Sequence, residues 1–240
     1  MAPSDDVSEA LQVLKKQDQK RTDVARQGFD KFRSAKDLAI TDTPSAQRGV
    51  SVAWHEEPGS ELDELVSRAR FNDLTVVART VLAGIGLSSG DLGSLLLHSG
   101  RPVLIAPSVP PKKIVGRIAL AWKNTPEAAR AVATAMPLLT RVEYVIVLSA
   151  NEDDDKTDEC LECAEKIVNS LRWNGVKAEV RYIVPGGRKI PDAILGAARE
   201  SDADLIVAGA YGHSRLREFV FGGFTQHVLE GAALPVLLFH

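Results

Sequence analysis

The 240-residue sequence predicts an α/β fold: a doubly wound parallel sheet with helices on both faces. Three observations predict it. From Lys112 to His240, short apolar runs rich in Val, Ile and Leu alternate with helix-patterned segments. Strands of that kind are buried on both faces, and helical crossovers make their neighbours parallel. The unit also occurs twice: ELDELVSRARFNDLTVVART (61–80) aligns with PDAILGAARESDADLIVAGA (191–210), and SGRPVLIAP (99–107) with GAALPVLLFH (231–240). Finally, glycines gather between an apolar run and a helix-like segment in GAYGHSRLREFVFGGFT, residues 209–225.

In chain order, residues 5–38 form a long polar-rich helix with apolar positions Val7, Leu11, Leu14, Ala25, Phe29 and Phe32 around a charged centre. A protruding interaction arm is one reading of it. GVSVAWHE (49–56) is a strand, followed by a helix, the strand after Asp73-Leu74, a glycine-bearing loop and the strand PVLIAP. Relative to the second copy, this first copy lacks two strands and one helix. It builds an irregular sheet, borrows pairing from the second copy or a partner chain, or starts upstream of residue 1; the sequence leaves these open. Ala106 to Lys113 is a proline-rich linker that behaves as a semi-rigid spacer. The expected domains are therefore a partial repeat over 1–107 and a complete one over 112–240.

The complete repeat reads as five strands and four helices: IVGRIALAW, TPEAARAVATAMPLL, VEYVIVLSA, the helix holding Cys160 and Cys163, KAEVRYIV, IPDAILGAARES, DLIVAGA, the helix after the glycines, and PVLLFH. Thr125 is the N-cap of the first of these helices, Pro126 its first residue, and Glu127 faces its dipole. Right-handed crossovers put the ligand crevice at the carboxyl ends of the strands.

Composition excludes several function classes. A net charge of −3 without a basic stripe offers nothing to neutralise phosphates along a nucleic acid. No apolar stretch approaches the roughly 18–20 residues of a membrane span, and MAPSDDVSEALQVLKK lacks the basic start and apolar centre of a signal peptide. A cytoplasmic protein is expected. Cys160 and Cys163 form a CxxC inside a helix, where the plain reading is two small side chains on one face, since no nearby residues complete a zinc site. His55, His98, His227 and His240 are scattered, Ser94 and Ser214 have no identifiable base, and no catalytic constellation stands out.

The glycines admit close backbone approach at a helix N-terminus, an arrangement suited to phosphate. Turning the chain from strand to helix is the plainer alternative. Gly209-x-x-Gly212, nine residues and Gly222, with GHS at 212–214 and a PV-apolar final strand, resembles the C-terminal signature of the universal stress protein family. Residues 112–240 resemble a whole domain of that family, and the first copy the latter part of another. The resemblance implies a five-stranded parallel sheet of order 3-2-1-4-5 and a homodimer or intramolecular pseudo-dimer joined through the last strands. In one branch of the family it also implies ATP, with Mg as its companion. Carried onto this chain, the nucleotide contacts are Gly209, Gly212, His213, Gly222, Gly223, Thr225, Trp122 and Lys123. Two positions depart from the pattern. Gly223 stands where a Ser or Thr follows the last glycine, with Thr225 nearby as a substitute, and Trp122-Lys123-Asn124-Thr125 replaces an Asp-Gly-Ser-like turn. The function read from this is a stress-response binding protein tuned by an adenine nucleotide. A nucleotide-free dimeric scaffold and a weak ATP hydrolase are the alternatives.

Overall fold

The computed structural model describes residues 5–43, 49–56, 62–79, 88–109, 111, 113–114, 116–150, 157–210, 225, 227 and 232–240. The chain divides into two compact units, Met1–Ser60 and Glu61–His240. The first holds helix α1 (Asp5–Ala35) and a pair of two-residue strands, β1 (Ala39–Ile40) and β2 (Ser51–Val52), paired in parallel. The strand expected over 49–56 is thus only Ser51–Val52, and β1 is a strand the sequence reading did not contain. Phe29 on α1 meets Trp54 with ring centroids 5.4 Å apart, and Arg26 lies over the Trp54 ring at 5.4 Å. Such contacts contribute about 0.5–1 kcal/mol each at exposed sites.

The second unit runs α2 (Leu62–Arg70), β3 (Thr75–Ala78), α3 (Ser89–Ser99), β4 (Val103–Ala106), β5 (Arg117–Ala121), α4 (Pro126–Leu139), β6 (Tyr144–Ala150), α5 (Thr157–Trp173), β7 (Ala178–Ile183), α6 (Ile190–Glu200), β8 (Leu205–Gly209) and β9 (Val236–Phe239). Local chemistry sets several ends. Ser88 and Asp91 form a reciprocal capping box on α3, which stops at Gly100 in the left-handed region at φ 64°. The Thr125 hydroxyl accepts from Ala128 N at the start of α4, with Pro126 in its first turn as expected. Glu127 occupies that turn too, but it is only 2% exposed rather than directed at solvent.

Seven strands form one sheet in the order β3-β4-β9-β8-β5-β6-β7. Counted within the second repeat from β5 as first, its strands lie 3-2-1-4-5. Every pairing is parallel except β4 with β9, which is antiparallel with Val103 opposite Leu238 and Ile105 opposite Val236. The strands β4 and β9 thus join within one chain, whereas β3, on the far side of β4, has no second partner in the sheet.

The sheet separates two apolar layers. On one face α2, α3 and α6 pack through Val66, Leu95 and Ile194 with Ile105, Ile206 and Leu238. On the other, α4 and α5 pack through Ala135, Leu139 and Val168 with Leu120, Val147 and Val207. Burying one Leu or Ile of this kind stabilises by about 1.5–3 kcal/mol. The strand β3 is an edge, and its Val76 remains 58% exposed.

Candidate functional site

The second repeat sends its connections to opposite faces of the sheet. After β5 the chain enters α4 on one face, whereas α6, which leads into β8, lies on the other. Since β5 and β8 are neighbours, with Ala121 opposite Ala208, the strand order reverses between them. That is the position at which open α/β sheets hold ligands, beyond the carboxyl ends of the strands.

Of the eight residues expected there, four are described. Gly212, His213, Gly222 and Gly223 lie outside the described residues. The half-buried Trp122 and the exposed Lys123 follow β5 directly, with Trp122 N donating to Leu148 O at 2.8 Å. The indole Nε1 of Trp122 is buried and meets no acceptor among the described residues. A buried donor left so costs about 1–3 kcal/mol.

Gly209 ends β8, and the space over its Cα is already filled. A Cβ added there would lie 2.6 Å from Ala128 N, 2.6 Å from Glu127 C and 2.9 Å from Glu127 O. The first turn of α4 rests on this glycine, so its lack of a side chain serves strand-to-helix packing. Thr225 is helical and only 2% exposed, so it offers a crevice ligand almost no surface. Trp122 and Lys123 are thus consecutive residues at the end of β5, and Gly209 lies beneath α4. Two contacts escaped the sequence reading: His227 Nε2 lies 2.5 Å from Asp192 Oδ1 on α6, and His240 Nδ1 lies 3.1 Å from Ala210 O. Both histidines stand far from their partners along the chain, and no local spacing signals either contact.

The equivalent loop of the first repeat begins at Arg79, whose N donates to Ala106 O at 2.8 Å. The Arg79 guanidinium is partly buried, its Nε and Nη2 meet no acceptor among the described residues, and desolvation lowers its pKa below the ordinary arginine value. Replacing an unpaired, desolvated donor by an apolar side chain of similar length removes that penalty. Arg79→Met is accordingly expected to stabilise the protein by about 1 kcal/mol in urea denaturation; a loss of stability would show that the guanidinium has a partner.

Cys160 and Cys163 are free thiols on α5, both partly buried, and Ser149 Oγ donates to Cys160 Sγ at 3.6 Å. Among the described residues no cluster of three His, Cys, Asp or Glu could hold a metal ion, and no helix is long and apolar enough to cross a membrane.

A mostly parallel sheet with helices on both faces and a reversal of strand order between β5 and β8 defines a doubly wound α/β class. The chain belongs to the universal stress protein family, whose model matches residues 115–240. A universal stress protein of Synechocystis sp. is 31% identical over 96 residues, which are 40% of this chain and 31% of that relative. The chain thus spans about a third of that relative's length. Among solved structures, a universal stress protein from Archaeoglobus fulgidus superposes with a TM-score of 0.60 at 19% identity, over 100% of this chain and 83% of that one. A functionally unknown protein from Pseudomonas aeruginosa PAO1 gives 0.52 at 17% identity, over 78% of this chain and 69% of its own. At these identities the superpositions speak to the fold alone.

Proposed function

We propose that the protein is a cytoplasmic stress-response binding protein, built as a partial repeat over 1–107 and a complete one over 112–240, whose C-terminal crevice takes an adenine nucleotide. The observation that carries the nucleotide is the unpartnered buried Nε1 of Trp122 next to the Lys123 cation at the end of β5. A nucleotide is rich in acceptors and anionic, so it complements a donor and a cation held together. Trp122 and Lys123 would hold it, with the Gly212, His213, Gly222 and Gly223 loop cradling phosphate by family resemblance and Mg accompanying the phosphates. Gly209 acts by letting the first turn of α4 rest on β8, and Thr225 is buried. The protein acts through binding; a nucleotide-free scaffold and weak ATP hydrolysis are the alternatives.

Thermal unfolding of the full chain with ATP tests the reading. At about 100 times its Kd, a ligand adds about 2.7 kcal/mol and raises the Tm of a protein this size by roughly 5–10 °C. Lys123→Glu and Trp122→Phe are expected to weaken that response at least about tenfold in ATP concentration, since each removes a polar contact of about 1.5–3 kcal/mol. No Tm shift at any ATP concentration returns the scaffold reading, and metal-dependent release of phosphate by the wild type but not by Lys123→Glu returns the hydrolase.

A further inference from the structure

Helix α1 has a face that no described residue of its own unit covers. Leu14 and Phe32 are 55% and 56% exposed on it. Stepping alternately four and three residues gives one continuous seam at positions 7, 11, 14, 18, 21, 25, 28 and 32, the spacing at which two helices interlock. Most of that seam is apolar or small. Its two central positions are Asp18 and Arg21, where Arg21 Nη1 donates to Asp18 Oδ1 at 3.2 Å and both side chains stay exposed. On the opposite face Gln19 Nε2 donates to Asp23 Oδ1 at 3.1 Å and Arg26 Nε to Asp30 Oδ2 at 3.4 Å, a polar surface satisfied along the helix itself. Phe29, held by Trp54, flanks the seam and leaves Ala25, Gly28 and Phe32 open.

We propose that two copies of this chain associate by antiparallel packing of their α1 helices, about a twofold axis between Gln19 and Lys20. That one axis makes the whole seam self-complementary. Asp18 faces the partner's Arg21 and Arg21 the partner's Asp18, so the two central charges are neutralised twice over. Leu14 faces the partner's Ala25, a large side chain against a small one. Gly28, where an added Cβ would meet nothing within 4 Å, and the exposed Phe32 continue the seam beyond Ala25. A shallow groove lined by Gln17, Lys20, Arg21, Val24 and Ala25 runs beside the place of the partner's Leu14. Packed in parallel, the same helices would stack Asp18 on the partner's Asp18 and Arg21 on the partner's Arg21, two like-charge pairs in a desolvating seam. The last strands offer a second copy no alternative, because β4 and β9 already pair within the chain.

Sedimentation equilibrium of the full chain and its charge variants decides the matter. The wild type is expected to be a dimer. Asp18→Arg and Arg21→Asp each turn both facing pairs into like charges and are expected to weaken the dimer at least about a hundredfold, with circular dichroism unchanged because both side chains are exposed. An equimolar mixture of the two single variants is expected to form a heterodimer, and the Asp18→Arg/Arg21→Asp double variant to dimerise again by itself. A monomeric wild type, single variants that remain dimeric, or a mixture or double variant that stays monomeric would each overturn the proposal.

Discussion

Gly209→Ala is expected to destabilise the fold by about 3 kcal/mol or more, a large effect for the addition of one methyl group. The atoms it would meet are backbone atoms of Glu127 and Ala128 at 2.6–2.9 Å, which cannot swing aside as the end of a flexible side chain can. Relief requires lifting the first turn of α4 off β8, and with it the contacts of Ala131, Ala135 and Leu139 in the layer below. Gly196 supplies the comparison. It sits within α6, and a Cβ there comes no closer than 3.7 Å to Arg188 Nη1, so Gly196→Ala is expected to stabilise by about 0.5–1 kcal/mol through helix propensity alone. Urea midpoints at constant m-value measure both. Equal midpoints for Gly209→Ala and the wild type would mean that α4 does not rest on β8.

Ile105→Asp is expected to be the most damaging single substitution at the junction of the repeats, at about 4 kcal/mol or more. Ile105 is 1% exposed, lies opposite Val77 in β3 and Val236 in β9, and belongs to the larger apolar layer. A carboxylate there is withdrawn from water and set among apolar side chains. The substitution also loosens β4 from β9 and bares a strand edge, so increased self-association on dynamic light scattering should accompany the lost stability. Val76→Asp, on the exposed edge strand of the same sheet, is expected to change stability by no more than about 0.5 kcal/mol. Similar losses from the two variants would contradict the seam.

Much of this was legible in the sequence because the second repeat satisfies most local rules, Pro137 inside α4 being an exception. Its strands are apolar runs bounded by turns, its helices carry 3.6-residue periodicity, and Thr125 with Pro126 announces a helix start that the structure reproduces. Pairing between the repeats was one of several open alternatives in the sequence, and only family resemblance pointed to the last strands, since strand order is a long-range property that no window of residues encodes. The strand β1 was missed because two residues cannot display alternation, and GVSVAWHE was over-read because its apolar character extends past the pairing, which ends at Val52. At the end of β8, the sequence offered Gly209 as a nucleotide contact, and it carried no sign of the α4 backbone that packs over that glycine. Thr225 likewise looked available from its place in the first turn, yet tertiary packing buries it.

The ladder between β4 and β9 consists of three registered pairs. Between separate molecules so short a contact would come apart on dilution. Joined by a single polypeptide, each strand meets the other at an effective concentration of the order of millimolar however scarce the protein becomes. Subunit exchange across that seam is thereby closed off, and the halves are released from the symmetry that identical subunits impose: each can drift toward its own shape and its own ligand while remaining bound to the other.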